Sequence, residues 1–531
     1  MKVLLKYIYI IVFIILISWI GITTILNYDT LDLNTFKKFE KRNPATLPKW
    51  NWEKDTISNY FSKLDLYVND AFSFRNKLIS LYSLVHYKIG VSMKPDKVVF
   101  GSNDFLFLGN YHNKIIDQTK GKNLFTNNEL QTWLNNFLVR KRYLDQFDIP
   151  LYLIIAPNKH SIYPEYLPDY ITPSKNNRHK QVTGLSPEFT IINLKDTLLA
   201  SKLIWSDKLY NKTDSHWSVI GAYIAYLKIM QQLMPDFKKL NVLELINGDF
   251  NIEPSNSNAG LKHQLHIKTH MKDFSVRIEK NKEWTNDLIK INFSGDTLPY
   301  NYLQNIRVRE QCIIVNKHKP YTVLLLKDSF SERLSVYLNQ TFGKTIYCHY
   351  NQFEGIELTQ LVEKYKPDIV LYEFVERMLI VKQEVHSNIV FNNVRDNFIP
   401  ICKMNGEYLY KNLTPKKHIT DIQLVKNEYS FNSVGSDPIL ILPKVKTQPN
   451  KHIALKLDFN SPKKSSCQIF YKTVNNKHYN KQNSISLTTE SGRNQIFILL
   501  PEKSIEGELR FDPGLVPGKY RIHSIEFLEE K

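Results

Sequence analysis

The stretch LLLKDSFSER, residues 324–333, decides the fold class. Its leucines close the apolar run YTVLLLKDS (321–329), and SERLSVYLNQTF (331–342) follows at once with helical spacing. A strand that is apolar at every position is buried on both faces, and a strand passing straight into a helix is the repeating unit of a parallel sheet. Two more runs have the same character: LYLIIAP (151–157), ended by Pro157, and IVLYEF (369–374), after a helical segment at 354–366. Residues 128–148 and 217–234 have the spacing of amphipathic helices. The pattern predicts an α/β fold with a parallel sheet flanked by helices. Ser329 then stands at the carboxyl end of a strand, where such sheets present ligands. The free N–H groups of the following helix can stabilise an oxyanion there. The alternative is that Asp328 or Ser329 caps the helix.

Upstream lies KTDSHWS (212–218), just before the 217–234 helix. A carboxylate two residues from a histidine can accept the Nδ1 proton, fix the tautomer and leave Nε2 to take a serine proton. Asp214, His216 and Ser329 together are the parts of an acyl-transfer triad. Taken singly, the pair reads as a cap or a surface histidine. Residues 55–90 read as helical, and VVFGSNDFLFLG (98–109) as a hairpin. Lys159 and Tyr163 follow the first buried strand and are expected on the same edge of the sheet. Trp217 reads either as a platform for a sugar ring or as core. Glu376 and Arg377 follow the third strand, either as a structural ion pair or as contacts to an acidic substrate. His263, His266 and His270 have helical spacing, but no ligating carboxylate accompanies them, so neither a metal nor another cofactor is expected.

Beyond about residue 415 the pattern changes to short strands separated by Asn, Lys, Ser, Gly and Pro. HIALKLDF (452–459), CQIFYKTV (467–474), NQIFILL (494–500) and KYRIHSIEF (519–527) predict an antiparallel β-sandwich over 420–531. A carbohydrate-binding role is one reading of it, with Tyr471, Tyr479 and Tyr520 as sugar platforms or ordinary strand residues.

Residues 7–28 carry no charge, with Lys2 and Lys6 on one side and Asp29 and Asp32 on the other. A bilayer core needs about 20 such residues. The expectation is an uncleaved transmembrane anchor with a cytoplasmic N-terminus and an extracytoplasmic body. The 531 residues suggest two or three domains, and 43% hydrophobic with 23% charged residues excludes a wholly disordered chain. The charge of +18 points to an anionic polymer or a membrane surface, or to a uniformly basic chain; no nucleic-acid partner is expected. Cys312, Cys348, Cys402 and Cys467 are too dispersed for a zinc ribbon, an iron–sulfur cluster or a disulfide framework.

Six ordered blocks between about residues 60 and 385 resemble the AlgX/AlgJ family of alginate O-acetyltransferases, which carry an SGNH-hydrolase-like domain. They are YVNDAFSFRNKLI (67–79), VVFGSNDFLFLG (98–109), IIAPNKHSIYPEYLP (154–168), TDSHWSVIGAY (213–223), LLLKDSF (324–330) and PDIVLYEFVERML (367–379). The resemblance implies an SGNH-like domain over 55–415, with Ser329 as nucleophile, His216 as base and Asp214 as its orienter. The Asp/His pair precedes the serine, as in that family's circularly permuted order. Lys327 stands where SGNH hydrolases have Gly, which puts the oxyanion hole in question. The implied partners are a polysaccharide acceptor, with an anionic one favoured by the charge, and a membrane-bound O-acyltransferase that supplies acetyl. The residues leave two rivals open: an esterase with the same triad, and a non-catalytic glycan-binding subunit.

Overall fold

The computed structural model describes residues 2–26, 36–37, 42–50, 57–185, 187–255, 260–265, 271–279, 284–350, 358–381, 398–473, 477–480, 483–500, 505 and 507–531. His266 and His270, the acidic flank at Asp29 and Asp32, and the starts of the segments expected at 55–90 and 354–366 lie outside these residues. Among the described residues no group of three or more His, Cys, Asp or Glu side chains is placed to hold a metal.

In chain order, the first strands are β1 (Val98–Phe100), β2 (Leu106–Leu108), β3 (Leu151–Ala156), β4 (Thr190–Asn193), β5 (Phe250–Ser255) and β6 (Asp273–Ile278). They are followed by β7 (Ile289–Asn292), β8 (Thr297–Leu298), β9 (Cys312–Val315), β10 (Thr322–Lys327), β11 (Lys344–His349) and β12 (Ile369–Val375). Eight of them form one sheet in the order β4-β3-β12-β10-β11-β9-β7-β8. The expected parallel sheet is corrected here to a mixed one. From β4 to β11 all neighbours are parallel, but β9, β7 and β8 add antiparallel. Parallel neighbours need a crossover of a dozen or more residues. The chain from Ile289 to Val315 has no helix for one and turns back through Gly295 at φ +100°.

Both faces of the parallel strands are buried, as uninterrupted apolar runs require. One face (Tyr152, Ile154, Val323, Leu325, Leu371) packs under the helices Val219–Leu233 and Ser331–Thr341. The other (Leu153, Ile155, Leu324, Leu326, Val370, Phe374) packs on the helices Asn127–Asp145 and Leu358–Tyr365. The register aligns Lys327 with His349, and Val375 with Ala156. The carboxyl ends of β3, β12, β10 and β11 therefore emerge along a single edge.

From Phe398 onward the strands form antiparallel sheets of six and five strands enclosing a third core around Leu455, Leu457, Phe459, Phe511 and Phe527. Phe398, Ala454, Phe497 and Leu528 point away from that core and join the second face of the mixed sheet.

The expected transmembrane anchor over 7–28 is also corrected: among the described residues no helix is long and apolar enough to cross a membrane. The N-terminal helix runs Lys2–Ile25, taking in both lysines, and closes before the end of the uncharged run. Its last turn is polar and engaged with protein. Thr23 Oγ1 donates to Trp19 O at 2.8 Å, and Ser73 N–H donates to Thr24 Oγ1 at 2.9 Å.

Leu325 is fully buried on the face beneath the two helices. Leu325→Ala is expected to cost about 2–5 kcal/mol through lost burial and a residual cavity. Urea unfolding of the full chain measures it; a loss under 1 kcal/mol would mean that this face is not a packed core.

Candidate active site

The turn that carries Ser329 is built by carboxylates. Asp328 leaves β10 and accepts Phe330 N–H at Oδ1 (2.7 Å) and Val375 N–H at Oδ2 (2.8 Å), tying the turn to the end of β12. Glu373, fully buried on β12, accepts Asp328 N–H at 3.0 Å and Ser331 Oγ–H at 2.7 Å. Burial, and then the charge of Asp328, push the Glu373 carboxyl far above its usual range. Glu376 repeats the device at the end of β3, accepting Asn158 N–H at 2.8 Å and Ser161 Oγ–H at 2.7 Å. The cap reading of the Asp-Ser pair is not met: Phe330 is the residue that opens the helix Ser331–Thr341, and no side chain caps it. Asp328 holds the turn, while Ser329 leaves its hydroxyl for another partner.

That partner is His216. Its Nε2 lies 2.8 Å from Ser329 Oγ, and its Nδ1 lies 2.9 Å from Asp214 Oδ1. The Arg333 guanidinium stands 3.9 Å from Asp214 Oδ2 and donates through Nη1 to Trp217 O. Burial raises the Asp214 carboxyl, but the hydrogen bond and charge of His216 and the Arg333 charge outweigh it and hold it well below the usual range. A permanently ionised Asp214 keeps the Nδ1 proton in place and leaves Nε2 facing the serine as acceptor.

The Asp214 loop is fastened from three sides. Lys159 is buried, and its Nζ donates to the carbonyls of Asn211 (2.9 Å), Lys212 (2.7 Å) and Asp214 (2.7 Å). Three acceptors match the three donors of an ammonium. Asp273 accepts the N–H groups of Lys212 (3.0 Å) and Thr213 (2.8 Å). Leu261 N–H donates to Thr213 O at 2.7 Å. Gly260, at φ +74°, allows that approach, since a Cβ there would lie 2.5 Å from Thr213 O and 3.0 Å from Asp214 Cα.

The structure brings Asp214, His216 and Ser329 together and gives most of the expected substrate contacts other positions. Trp217 is fully enclosed; its Nε1 donates to Phe330 O at 2.9 Å, and no ring face is open to a sugar. Tyr163 is equally buried, with its hydroxyl donating to Ser206 O and accepting Leu209 N–H. Lys327 is turned away, donating to Arg307 O (2.7 Å) and Val308 O (2.8 Å), so it does not narrow the space at Ser329. Arg377 is half-buried, with its Cζ 5.7 Å from the centre of the Phe330 ring. The Glu376–Arg377 ion pair considered from the sequence is not formed; Glu376 bonds Asn158 and Ser161 instead. Of the three tyrosines considered as platforms, Tyr471 and Tyr520 are core residues, and Tyr479 donates to Glu508 O. Sequence reasoning passed over Arg333, Glu373 and Asp273. Only Glu373 left a signal, as a lone carboxylate inside an apolar strand.

Residues 98–265 match the family model described as "SGNH hydrolase-like domain, acetyltransferase AlgX". Over this segment the match bears out the resemblance read from the sequence. No curated protein matches the chain. Solved structures similar to it include Bacillus cereus PatB1, at 16% identity and TM-score 0.41 over 54% of this chain and 100% of that one. The O-acetyltransferase domain of Pseudomonas putida AlgJ is also 16% identical, with TM-score 0.31 over 54% of this chain and 94% of that one. Pseudomonas aeruginosa AlgX is 12% identical, with TM-score 0.35 over 81% of this chain and 94% of that one.

Burial lowers the Lys159 ammonium to about 7, against the opposing charges of Asp214 and Asp273. Between pH 7 and about 10 the unfolded chain then binds a proton that the folded chain has lost, so this group's contribution to stability rises with pH across that window. Lys159→Met removes both the term and the carbonyl contacts. Urea unfolding at pH 7, 8 and 9 should show the gap between wild type and variant widening as pH rises. A gap that stays constant would mean that Lys159 remains charged throughout.

Proposed function

We propose that this chain, whose residues 98–265 match the SGNH hydrolase-like domain of the AlgX acetyltransferase type, is an O-acetyltransferase. It would move acetyl through an acyl-Ser329 to hydroxyls of an extracytoplasmic polysaccharide. The observation that carries this reading is the relay from Asp214 through His216 to Ser329, with hydrogen bonds of 2.9 and 2.8 Å, at the carboxyl edge of the sheet.

Ser329 Oγ attacks the acetyl carbonyl carbon of the donor while its proton passes to His216 Nε2. Ionised Asp214 stabilises the imidazolium. The tetrahedral intermediate collapses, and His216 returns the proton to the departing donor group. A sugar hydroxyl then gives its proton to the neutral imidazole and attacks the acyl-serine. Collapse releases the acetyl ester of the sugar, and Ser329 recovers its proton from His216. The donor would be charged by a membrane-bound O-acyltransferase, as the family resemblance implies. The basic balance of the chain, +18, suits an anionic acceptor polymer.

One observation favours the esterase reading. The His216 side chain keeps 29% of its surface exposed, so water reaches the relay. Transfer prevails only if a bound hydroxyl outcompetes water, and a well-positioned hydroxyl has an effective molarity of about 10⁵ M or more.

Ser329→Ala, His216→Ala and Asp214→Ala are each expected to abolish acyl transfer with the fold intact, and a double variant should add little, because the three act as a unit. With p-nitrophenyl acetate, mass spectrometry of the peptide spanning Ser329 should show a retained acetyl group. Added oligosaccharide should discharge it and become acetylated. Acetate as the only product across anionic and neutral glycans would replace the transferase by an esterase. Retained polymer acetylation in cells carrying only the Ser329→Ala protein would end both.

A further inference from the structure

Arg377 has an arrangement that the relay does not use. No hydrogen bond or ion pair to its guanidinium is present among the described residues. Its backbone is nevertheless held on both sides. Glu376 is bonded to Asn158 and Ser161, and Gln118 Nε2 donates to Arg377 O at 3.0 Å. The guanidinium lies over Phe330, the residue after the nucleophile, which is itself immobilised. Phe330 N–H is bound to Asp328, and its carbonyl is bound to Trp217. The imidazole of His216 packs 5.0 Å from the same ring. Arg377 and His216 thus approach the nucleophile turn from different elements and share one rigid neighbour.

The charge of Arg377 is not neutralised in place. Asp328 is its foremost electrostatic neighbour, ahead of Tyr350, Glu373 and Tyr210. Both Asp328 oxygens, however, are taken by the N–H groups of Phe330 and Val375. Ser329 N–H is also without an acceptor among the described residues, whereas the N–H groups on either side of it are bonded. A free backbone donor on Ser329 and a cation with no hydrogen-bond partner over the ring of the next residue suit one event: the appearance of negative charge on an oxygen attached to the carbon that Ser329 attacks.

Resting on the proposed acyl-serine chemistry, we infer that Arg377 is a catalytic residue whose guanidinium, with Ser329 N–H, stabilises the oxyanion of the tetrahedral intermediate. As Oγ bonds to the acetyl carbon and the serine proton moves to His216, the carbonyl π pair moves onto oxygen, and that oxygen accepts from both donors. When the intermediate collapses, the pair re-forms the carbonyl and the leaving group departs. The Ser329 N–H is held in place before reaction by the bonds on either side of it, so that donor meets the developing charge without reorganisation. The rival role for a free arginine is to dock a carboxylate of an acidic acceptor sugar. The place of Arg377 against the residues that flank Ser329 favours the reacting oxygen.

The test is the burst of p-nitrophenolate from p-nitrophenyl acetate, which reports acylation of Ser329 with no acceptor present. The full chain is compared with Arg377→Met and Arg377→Lys. Arg377→Met should lower the acylation rate constant about 10²- to 10³-fold with little change in KM for the ester, and Arg377→Lys should lose less. Thermal melting checks the fold; if the Met variant does not fold, the Lys variant alone should still lose rate. A burst as fast as wild type in the folded variants overturns the assignment. If acetylation of an acidic oligosaccharide then needs a higher acceptor concentration while a neutral one is unaffected, Arg377 docks the acceptor instead. A wild-type protein that gives no burst and no acetyl on Ser329 defeats the proposed function itself, a failure distinct from an unaltered burst in the variants.

Discussion

The Asp328 carboxylate joins the two strands that carry the candidate site. Its oxygens take one N–H from the Ser329 turn and one from the end of β12. The turn cannot shift without also breaking the Asp328 N–H bond to Glu373. A buried carboxylate is stable only when its lone pairs are satisfied, and backbone N–H groups satisfy them with fixed geometry. Glu373 behaves differently: burial first, and then the charge of Asp328, push its carboxyl toward the neutral form.

The Asp214 loop follows the same logic with the opposite sign. Lys159 is buried under it and spends its donors on three carbonyls of one short segment. Its head group also lies near Phe105 and Phe107, the rings of the hairpin 98–109. Lys159 thus holds backbone, and it is not alone in doing so. Lys327 does so for the 307–308 segment as Lys159 does for 211–214. Arg377 differs from both because its head group is left unspent.

Most of the aromatics that the sequence suggested for sugar contacts, all but Tyr479, are interior. Trp217, Tyr163, Tyr471 and Tyr520 are all interior, and three of these four are held by hydrogen bonds to backbone. An aromatic flanked by apolar residues looks the same in a chain whether it lines a groove or fills a core. Only the packing distinguishes the two, and here the core beneath the helices Val219–Leu233 and Ser331–Thr341 claims Tyr163 and Trp217, and the sandwich core claims Tyr471 and Tyr520.

The sequence by itself determined the parts whose cause is local. Continuous apolar runs mark strands buried on both faces, and these appear as β3, β10 and β12. The Asp-x-His spacing suffices to pair Asp214 with His216, since two residues of backbone set their separation. Local patterning also misled. An uncharged run predicted a membrane anchor, whereas no described helix is long and apolar enough to cross a bilayer. The four-residue strands β7 and β9, which turn the sheet antiparallel, carry too few residues to show a period. What only the tertiary structure decided are the contacts across long separations. His216 meets Ser329 across 113 residues, and Lys159 reaches the 211–214 carbonyls across more than 50. Arg377 is brought beside Phe330, and Lys327 is turned away from the serine. Each depends on strand order and on the register that aligns the ends of β3, β12 and β10, and these are set by packing summed over the whole sheet rather than by any one segment.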